Sequence, residues 1–143
     1  MKKILVVDDE RSTLQLLRTI LSSQGWEIET AMTPERASEL TLQNKFDLVI
    51  SDINLQSAQT GIDLLRLLRD TSPVILITGA GTLENAIAAS REGAWDIIAK
   101  PFNIDSVIAT VRRVLAESPF NNNPDTAPEN SEITLAESGS LGR

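Results

Sequence analysis

Hydrophobic and polar positions follow two different periods along the first 117 residues. Short apolar runs alternate with longer stretches in which apolar residues recur every three or four positions, a pattern that predicts strands alternating with helices. The predicted strands are residues 4–7, 27–31, 48–51, 74–78 and 96–99. The first, third and fourth are nearly continuous apolar runs, which is typical of strands that are covered on both faces.

Each predicted strand is followed by a helical stretch. The second helix begins at Thr33 and Pro34, a capping hydroxyl followed by proline in the first turn. The third spans residues 62–69, and the fourth runs from Thr82 to a C-terminal cap at Gly93. The first and fifth helices are predicted from apolar stripes, formed respectively by Leu14, Leu17 and Leu21 and by Ile104, Val107, Ile108, Val111 and Leu115.

This alternation predicts the fold class α/β, with a doubly wound parallel sheet of five strands and helices on both faces. Right-handed crossovers leave few topologies, and five strands in about 117 residues suit the flavodoxin-like order 2-1-3-4-5. Ligands of such sheets bind at the carboxyl ends of the strands. The residues that follow each strand are therefore the candidates for chemistry.

Charged and hydroxyl side chains follow four of the five predicted strands. They are Asp8, Asp9 and Glu10 after the first strand, Asp52 after the third, Thr78 at the end of the fourth, and Lys100 after the fifth. Carboxylates that converge at one edge repel each other unless a cation lies between them, and Mg²⁺ prefers such oxygen ligands. Together with a lysine and a hydroxyl, they indicate a phosphoryl-transfer site in which one aspartate attacks phosphorus.

Each of these residues also has an ordinary structural explanation. Acids after a strand often cap the next helix, a strand-end aspartate often stabilises a turn, and a lysine before proline is often solvated. Taken singly, these explanations compete well with a functional one. A shared site is favoured because all four strand ends carry a suitable residue at once.

Composition narrows the chemistry further. The chain has 143 residues, 13 Lys and Arg against 20 Asp and Glu, and a net charge of −7. Direct binding of nucleic acid is therefore not expected. The chain has no histidine and no cysteine, which excludes thiol and histidine catalysis and zinc–thiolate sites within it. No apolar run approaches the roughly 20 residues of a membrane helix, so a cytoplasmic location is expected.

Composition changes at about residue 117. Residues 118–143 carry three of the six prolines, four acids and one arginine, which gives this segment a charge of −3. The apolar density is too low to compensate for the entropy of ordering it. We therefore divide the chain into a domain at 1–117 and a disordered acidic tail or linker stub at 118–143.

The ordered set of motifs resembles the receiver domain of two-component response regulators. The matching stretches are ILVVDDE at 4–10, DLVISD at 47–52, ILITG at 75–79 and KPF at 100–102. The resemblance covers residues 2 to about 117, and residues 78–94 are most similar to receivers of the nitrogen-regulator type.

The resemblance implies a role for each acid at the edge of the sheet. Asp52 would be the phosphoacceptor and would form an acyl phosphate. Asp9 would bind Mg²⁺ directly and Asp8 mostly through water, with the backbone carbonyl of Asn54 as another ligand. Mg²⁺ is thus the expected cofactor, and self-catalysed phosphorylation with slow autodephosphorylation is the expected activity.

The resemblance also implies a switch and its partners. Thr78 would bind the phosphoryl group, Lys100 would pair with it, and the bond between Lys100 and Pro101 would be cis. The donor would be a phosphohistidine on a histidine kinase or phosphotransfer protein. The helix 4–strand 5–helix 5 face, about residues 82–115, would bind a downstream effector or output domain, and a phosphorylation-dependent dimer stays open.

The sequence departs from the family pattern at two positions near the site. Gln56 stands where many receivers have proline, and the next glycine, Gly61, comes one residue later than usual, so we expect a longer and more mobile loop. Ile97 replaces the aromatic residue that swings inward during switching, so a ring rotation cannot be the signal here.

Three other functions were weighed. A phosphorylation-independent interaction scaffold with the same fold is the main alternative. A phosphatase with an aspartate nucleophile would carry an Asp-x-Asp pair, whereas Asp8 and Asp9 are adjacent. A flavin-binding protein would need a loop of small residues with free N–H groups after the first strand, and here that loop is acidic.

Overall fold

The computed structural model describes residues 1–55, 60–79 and 83–118, without the side chains of Leu83, Asn85 and Ala86. The predicted tail lies outside these residues from position 119 onward. Positions 56–59, on which the prediction of a longer loop depends, also lie outside them.

The core of the fold is a five-stranded sheet in which all neighbouring strands are parallel. The strands are β1 (Lys3–Val7), β2 (Glu27–Ala31), β3 (Leu48–Asp52), β4 (Val74–Thr78) and β5 (Asp96–Ala99). Their order in the sheet is β2-β1-β3-β4-β5, which confirms the predicted topology. The first strand begins one residue earlier than predicted, and the third ends one residue later, at Asp52.

Five helices connect and cover the strands. They are α1 (Arg11–Ser22), α2 (Pro34–Gln43), α3 (Gly61–Leu68), α4 (Leu83–Arg91) and α5 (Ile104–Glu117). None of these helices in the described part of the chain has the length and apolarity that crossing a membrane requires.

Local sequence explains several helix ends. The hydroxyl of Thr33 accepts a hydrogen bond from the Arg36 N–H at the start of α2, as predicted. Thr60 and Asp63 form a reciprocal capping box, which starts α3 one residue earlier than predicted. Gly93, two residues beyond α4, has a φ of +100°, a left-handed conformation that glycine adopts without strain. The predicted first residue of α4, Thr82, lies outside the described residues.

Alternate residues of each central strand face two separate apolar clusters. Ile4 and Val6 pack with α1 and α5 on one side of the sheet, whereas Leu5 and Val7 pack with α2, α3 and α4 on the other. Strands β3 and β4 are buried at every position, so the prediction that they are covered on both faces is confirmed. This burial holds the carboxyl ends of the strands in fixed register.

The apolar stripe predicted for α5 packs on the core, except at its first position. Val107, Val111 and Leu115 are buried, but Ile104, the first residue of the helix, is 47% exposed. Val114, which the prediction omitted, is fully buried instead.

Candidate functional site

The parallel register brings the residues that follow β1, β3, β4 and β5 to one edge of the sheet. Val7 pairs with Ser51, so Asp8 and Asp52 each lie one residue further along neighbouring strands. Asp52 pairs with Ile77, which places Thr78 next on β4. Lys100 follows Ala99, the partner of Thr78 on β5.

Three carboxylates converge at this edge. Asp8, Asp9 and Asp52 each offer an oxygen, and these oxygens lie within 4.8 Å of one another. Asp8 is fully buried and Asp52 is 5% exposed. Two buried carboxylates this close together carry a high cost of desolvation and repulsion unless positive charge is near.

Lys100 supplies that positive charge. Its Nζ lies 3.1 Å from Oδ2 of Asp8 and 2.9 Å from Oδ2 of Asp52. A third contact, also of 2.9 Å, joins Nζ to Oε1 of Glu10. An ammonium group has three N–H donors, so these three carboxylates use all of them.

Backbone amides fix the other oxygens of the two buried aspartates. The Glu10 N–H donates to Oδ1 of Asp8, and the Asn54 N–H donates to Oδ1 of Asp52, both at 2.8 Å. The N-cap position of α1 is Glu10, and its side chain makes no capping hydrogen bond. The interpretation of Asp8 and Asp9 as simple helix caps therefore finds no support in the geometry.

The contact with Lys100 does not fully offset the burial of Asp8. Burial raises the pKa of Asp8 from 3.8 to about 6, even though hydrogen bonds from the Glu10 N–H and from Lys100 act to lower it. Partial burial disfavours the charge of Lys100, but hydrogen bonds to Asp52, Glu10 and Asp8 outweigh it and raise its pKa above the ordinary value. The hydrogen bond from Lys100 lowers the pKa of Glu10.

The donor set fits a hard divalent cation. All three clustered side chains are carboxylates, the ligand type that Mg²⁺ selects over nitrogen and sulfur. Asp8 and Asp52 are both buried, so a positive charge placed between them would offset their repulsion. Asn54 lies two residues after Asp52, and the Asn54 N–H donates a hydrogen bond to Asp52. The carbonyl of Asn54, the fourth predicted ligand, therefore lies in the short segment that follows Asp52.

The remaining predicted residues surround the cluster. Thr78 is 2% exposed at the end of β4, and its carbonyl accepts a hydrogen bond from the Lys100 N–H at 2.8 Å. The peptide bond between Lys100 and Pro101 is cis. Ile97 is half-buried and packs against the apolar cluster that includes Ala89 of α4. The site and α4 are thus linked through β4 and β5.

The sequence predicts no role for two residues at the site. Glu10 belongs to the acidic run after β1, and nothing in its spacing indicates that it reaches Lys100. Gly61 approaches Asp52 so closely that a Cβ there would lie 2.2 Å from the Asp52 carbonyl oxygen. The sequence shows only that Gly61 lies in the loop after Asp52. It does not show why glycine is required, because the requirement comes from a contact nine positions away.

An open depression of about 600 Å³ lies beside the cluster. Its walls are formed by Glu10, Leu16, Gly79, Lys100, Pro101 and Phe102. Solvent therefore reaches the Lys100 side of the site, where the side chain of Glu10 is 60% exposed.

The fold and the acid–lysine site define a response regulator receiver. The response regulator receiver domain profile matches residues 4–112. This match spans more than half of the chain, and the chain belongs to this family, as the sequence motifs indicated.

Individual relatives support the same family. The chain is 34% identical to the transcriptional regulatory protein CpxR of Escherichia coli K12, over 90% of this chain and 57% of CpxR. It is 35% identical to the nitrogen assimilation regulatory protein NtrX of Azorhizobium caulinodans, over 78% of this chain and 26% of NtrX. The similarity to NtrX supports the nitrogen-regulator resemblance. The chain therefore spans little more than half of one curated relative and about a quarter of the other.

A solved structure matches the fold closely. The beryllofluoride-activated NtrC4 receiver domain dimer, determined in solution, superimposes with a TM-score of 0.77 at 30% identity. The alignment covers 82% of this chain and 98% of that receiver.

Proposed function

We propose that Asp52 accepts a phosphoryl group from a phosphohistidine of a histidine kinase or phosphotransfer protein. The observation that carries the proposal is the position of Lys100, which contacts the buried carboxylates of Asp8 and Asp52 together. Family membership makes this chemistry the natural use of such a cluster. The chain has no histidine, so the donor histidine would lie outside these 143 residues.

The transfer is a substitution at phosphorus. An oxygen of the Asp52 carboxylate forms the new P–O bond while the P–N bond of the phosphohistidine breaks. The electron pair of that bond stays on the donor imidazole, which takes a proton from solvent if it leaves as an anion. Lys100 stabilises the charge on the phosphoryl oxygens, and the Asn54 N–H holds Asp52 in orientation.

Asp8, Asp9 and Asp52, with the carbonyl of Asn54, would hold Mg²⁺, which supplies positive charge against the phosphoryl oxygens. Among the described residues of the chain itself, Lys100 is the one cationic side chain within salt-bridge distance of Asp8 and Asp52.

Phosphorylation would shift the face formed by α4, β5 and α5. Thr78 is buried at the end of β4 beside Lys100, where its hydroxyl would hydrogen-bond the new phosphoryl group. Ile97 packs on the side of the sheet that α4 covers. Its side chain can therefore enter or leave the apolar space there as Thr78 moves. Such a response is a change in the population of two packed states.

This face would bind the downstream effector or output domain. It comprises residues 82–115, of which the structure describes 83–115. The matched relatives are longer than this chain, and CpxR is named as a transcriptional regulatory protein. The matched NtrC4 receiver is a dimer in its beryllofluoride-activated form. A phosphorylation-dependent dimer of this chain is the corresponding proposal.

Intact-protein mass spectrometry tests the central step. Incubation with Mg²⁺ and acetyl phosphate should add one phosphoryl group, and Asp52→Asn should abolish the addition. Asp70→Asn, an equal change at an exposed position following α3, is the matched control and should be modified normally. A wild-type chain that stays unmodified at saturating donor would favour the phosphorylation-independent scaffold.

A further inference from the structure

We propose that Glu10 competes with the incoming phosphoryl group for the ammonium of Lys100. This role rests on the proposed function of Asp52. The starting observation is that Lys100 donates to three carboxylates, those of Asp8, Glu10 and Asp52. Because an ammonium has three donors, a phosphoryl oxygen gains a hydrogen bond from Lys100 only when a present acceptor gives way.

Glu10 is the acceptor that can leave at least cost. Asp8 is fully buried, so water cannot take the place of Lys100 as its hydrogen-bond partner. Asp52 is the group on which the phosphoryl forms, so Lys100 must stay near it. The side chain of Glu10 is 60% exposed, and water can replace Lys100 as the partner of its carboxylate.

The position of Glu10 is set by its surroundings. Its N–H donates to Asp8, and its Oε1 accepts a hydrogen bond from the Thr13 hydroxyl at 3.3 Å. Its carboxylate also borders the open depression beside Lys100. Glu10 is therefore a positioning residue: it holds Lys100 in the unmodified state and releases it when Asp52 is phosphorylated.

The predicted consequence is that Glu10 slows phosphorylation. Glu10→Gln keeps the shape of the side chain and weakens its hydrogen bond to Lys100, because the acceptor loses its charge. The rate of modification should rise about two- to fivefold, the range that corresponds to an ion pair with one exposed partner. The affinity for beryllofluoride with Mg²⁺, a phosphoryl analogue that involves no group transfer, should rise by a similar factor.

The charge of the phosphoryl donor distinguishes competition for Lys100 from simple repulsion between the donor and the Glu10 carboxylate. Acetyl phosphate and phosphoramidate carry different net charges near neutral pH, whereas both deliver the same phosphoryl group. Competition for Lys100 predicts that both donors show the same rate increase at any one salt concentration. Repulsion by the carboxylate predicts a larger increase with acetyl phosphate that fades as salt rises, and that result would overturn the proposal.

A matched control completes the experiment. Glu117→Gln makes the same change of charge at the C-terminal end of α5, and it should leave both rates unchanged. If the wild-type chain is modified and Glu10→Gln matches it in rate and in beryllofluoride affinity, this inference alone is wrong. If the wild-type chain is not modified at all, the proposed function fails and this inference fails with it.

Discussion

Nζ of Lys100 lies 2.9 Å from Oδ2 of Asp52, although the two residues are 48 positions apart in the sequence. The contact exists because β3 and β5 both end at the same edge of the sheet, on either side of β4. Asp52 is buried and Lys100 is only 20% exposed at its side chain, so water screens the pair weakly. This contact is the link between the acids of the site and the β5 side of the domain.

Lys100→Met should destabilise the Mg²⁺-free protein, because it leaves Asp8 and Asp52 without their cation. Removing one partner of a largely buried ion pair costs about 2–4 kcal/mol in the free energy of unfolding. Urea denaturation would measure the loss, and Mg²⁺ should restore more stability to this variant than to the wild type. Lys45→Met, at an exposed position following α2, is the control. Equal effects of Mg²⁺ on variant and wild type would contradict this explanation.

Asp8→Asn should stabilise the Mg²⁺-free protein increasingly as pH rises from 4 to 7. The pKa of Asp8 is about 6 when folded and 3.8 ordinarily, so between these values the folded protein holds a proton that the unfolded chain has released. The stability contributed by this group is present below the lower value and is lost as pH rises through the upper one. The difference in the free energy of unfolding between variant and wild type should grow by about 3 kcal/mol between pH 4 and pH 7.

Urea denaturation at closely spaced pH values, with chelator present, measures that difference. Asp70→Asn, which makes the same change at an exposed position following α3, is the matched control. A flat profile for Asp8→Asn would show that the buried carboxylate does not titrate in this range.

Gly61→Ala should destabilise the domain and slow modification of Asp52. A Cβ at position 61 would lie 2.2 Å from the Asp52 carbonyl oxygen and 2.8 Å from Cα of Ile53, and both contacts are with backbone that cannot rotate away. The expected cost is about 2–3 kcal/mol, at the upper end for overpacking. Gly79→Ala is the matched control, since the nearest contact of its Cβ among the residues that the structure describes would be Cδ of Lys100 at 3.9 Å. Similar losses of stability in both variants would contradict the steric explanation.

The sheet could be predicted because its strands are encoded locally. Strands β1, β3 and β4 are apolar at nearly every position, and that pattern follows directly from burial on both faces. The order of the strands followed from their alternation with helices and the handedness of crossovers. Since the ends of parallel strands share an edge, the position of Lys100 near Asp52 also followed from the topology.

Features that depend on three-dimensional distance could not be predicted in this way. The 2.2 Å approach of Gly61 to Asp52 depends on the path of the loop between them. The contact of Glu10 with Lys100 depends on which way a long side chain turns at the first position before α1. Periodicity places Ile104 on the apolar stripe of α5, but periodicity does not show that this first residue of the helix is exposed.

Glu92→Gln should loosen α4 while leaving the rest of the fold intact. Arg66 donates to both carboxylate oxygens of Glu92 at 3.0 Å, and Arg69 donates to its carboxylate and, at 2.8 Å, to its carbonyl. Among the α4 side chains that the structure describes, only Ala89 is buried, so these contacts with α3 contribute much of what holds the helix. Local opening should become easier, with a roughly two- to fivefold faster hydrogen exchange of α4 amides. Glu84→Gln, at an exposed position near the start of α4, should leave exchange unchanged. Equal exchange in all three proteins would show that α4 is held by its apolar contacts alone.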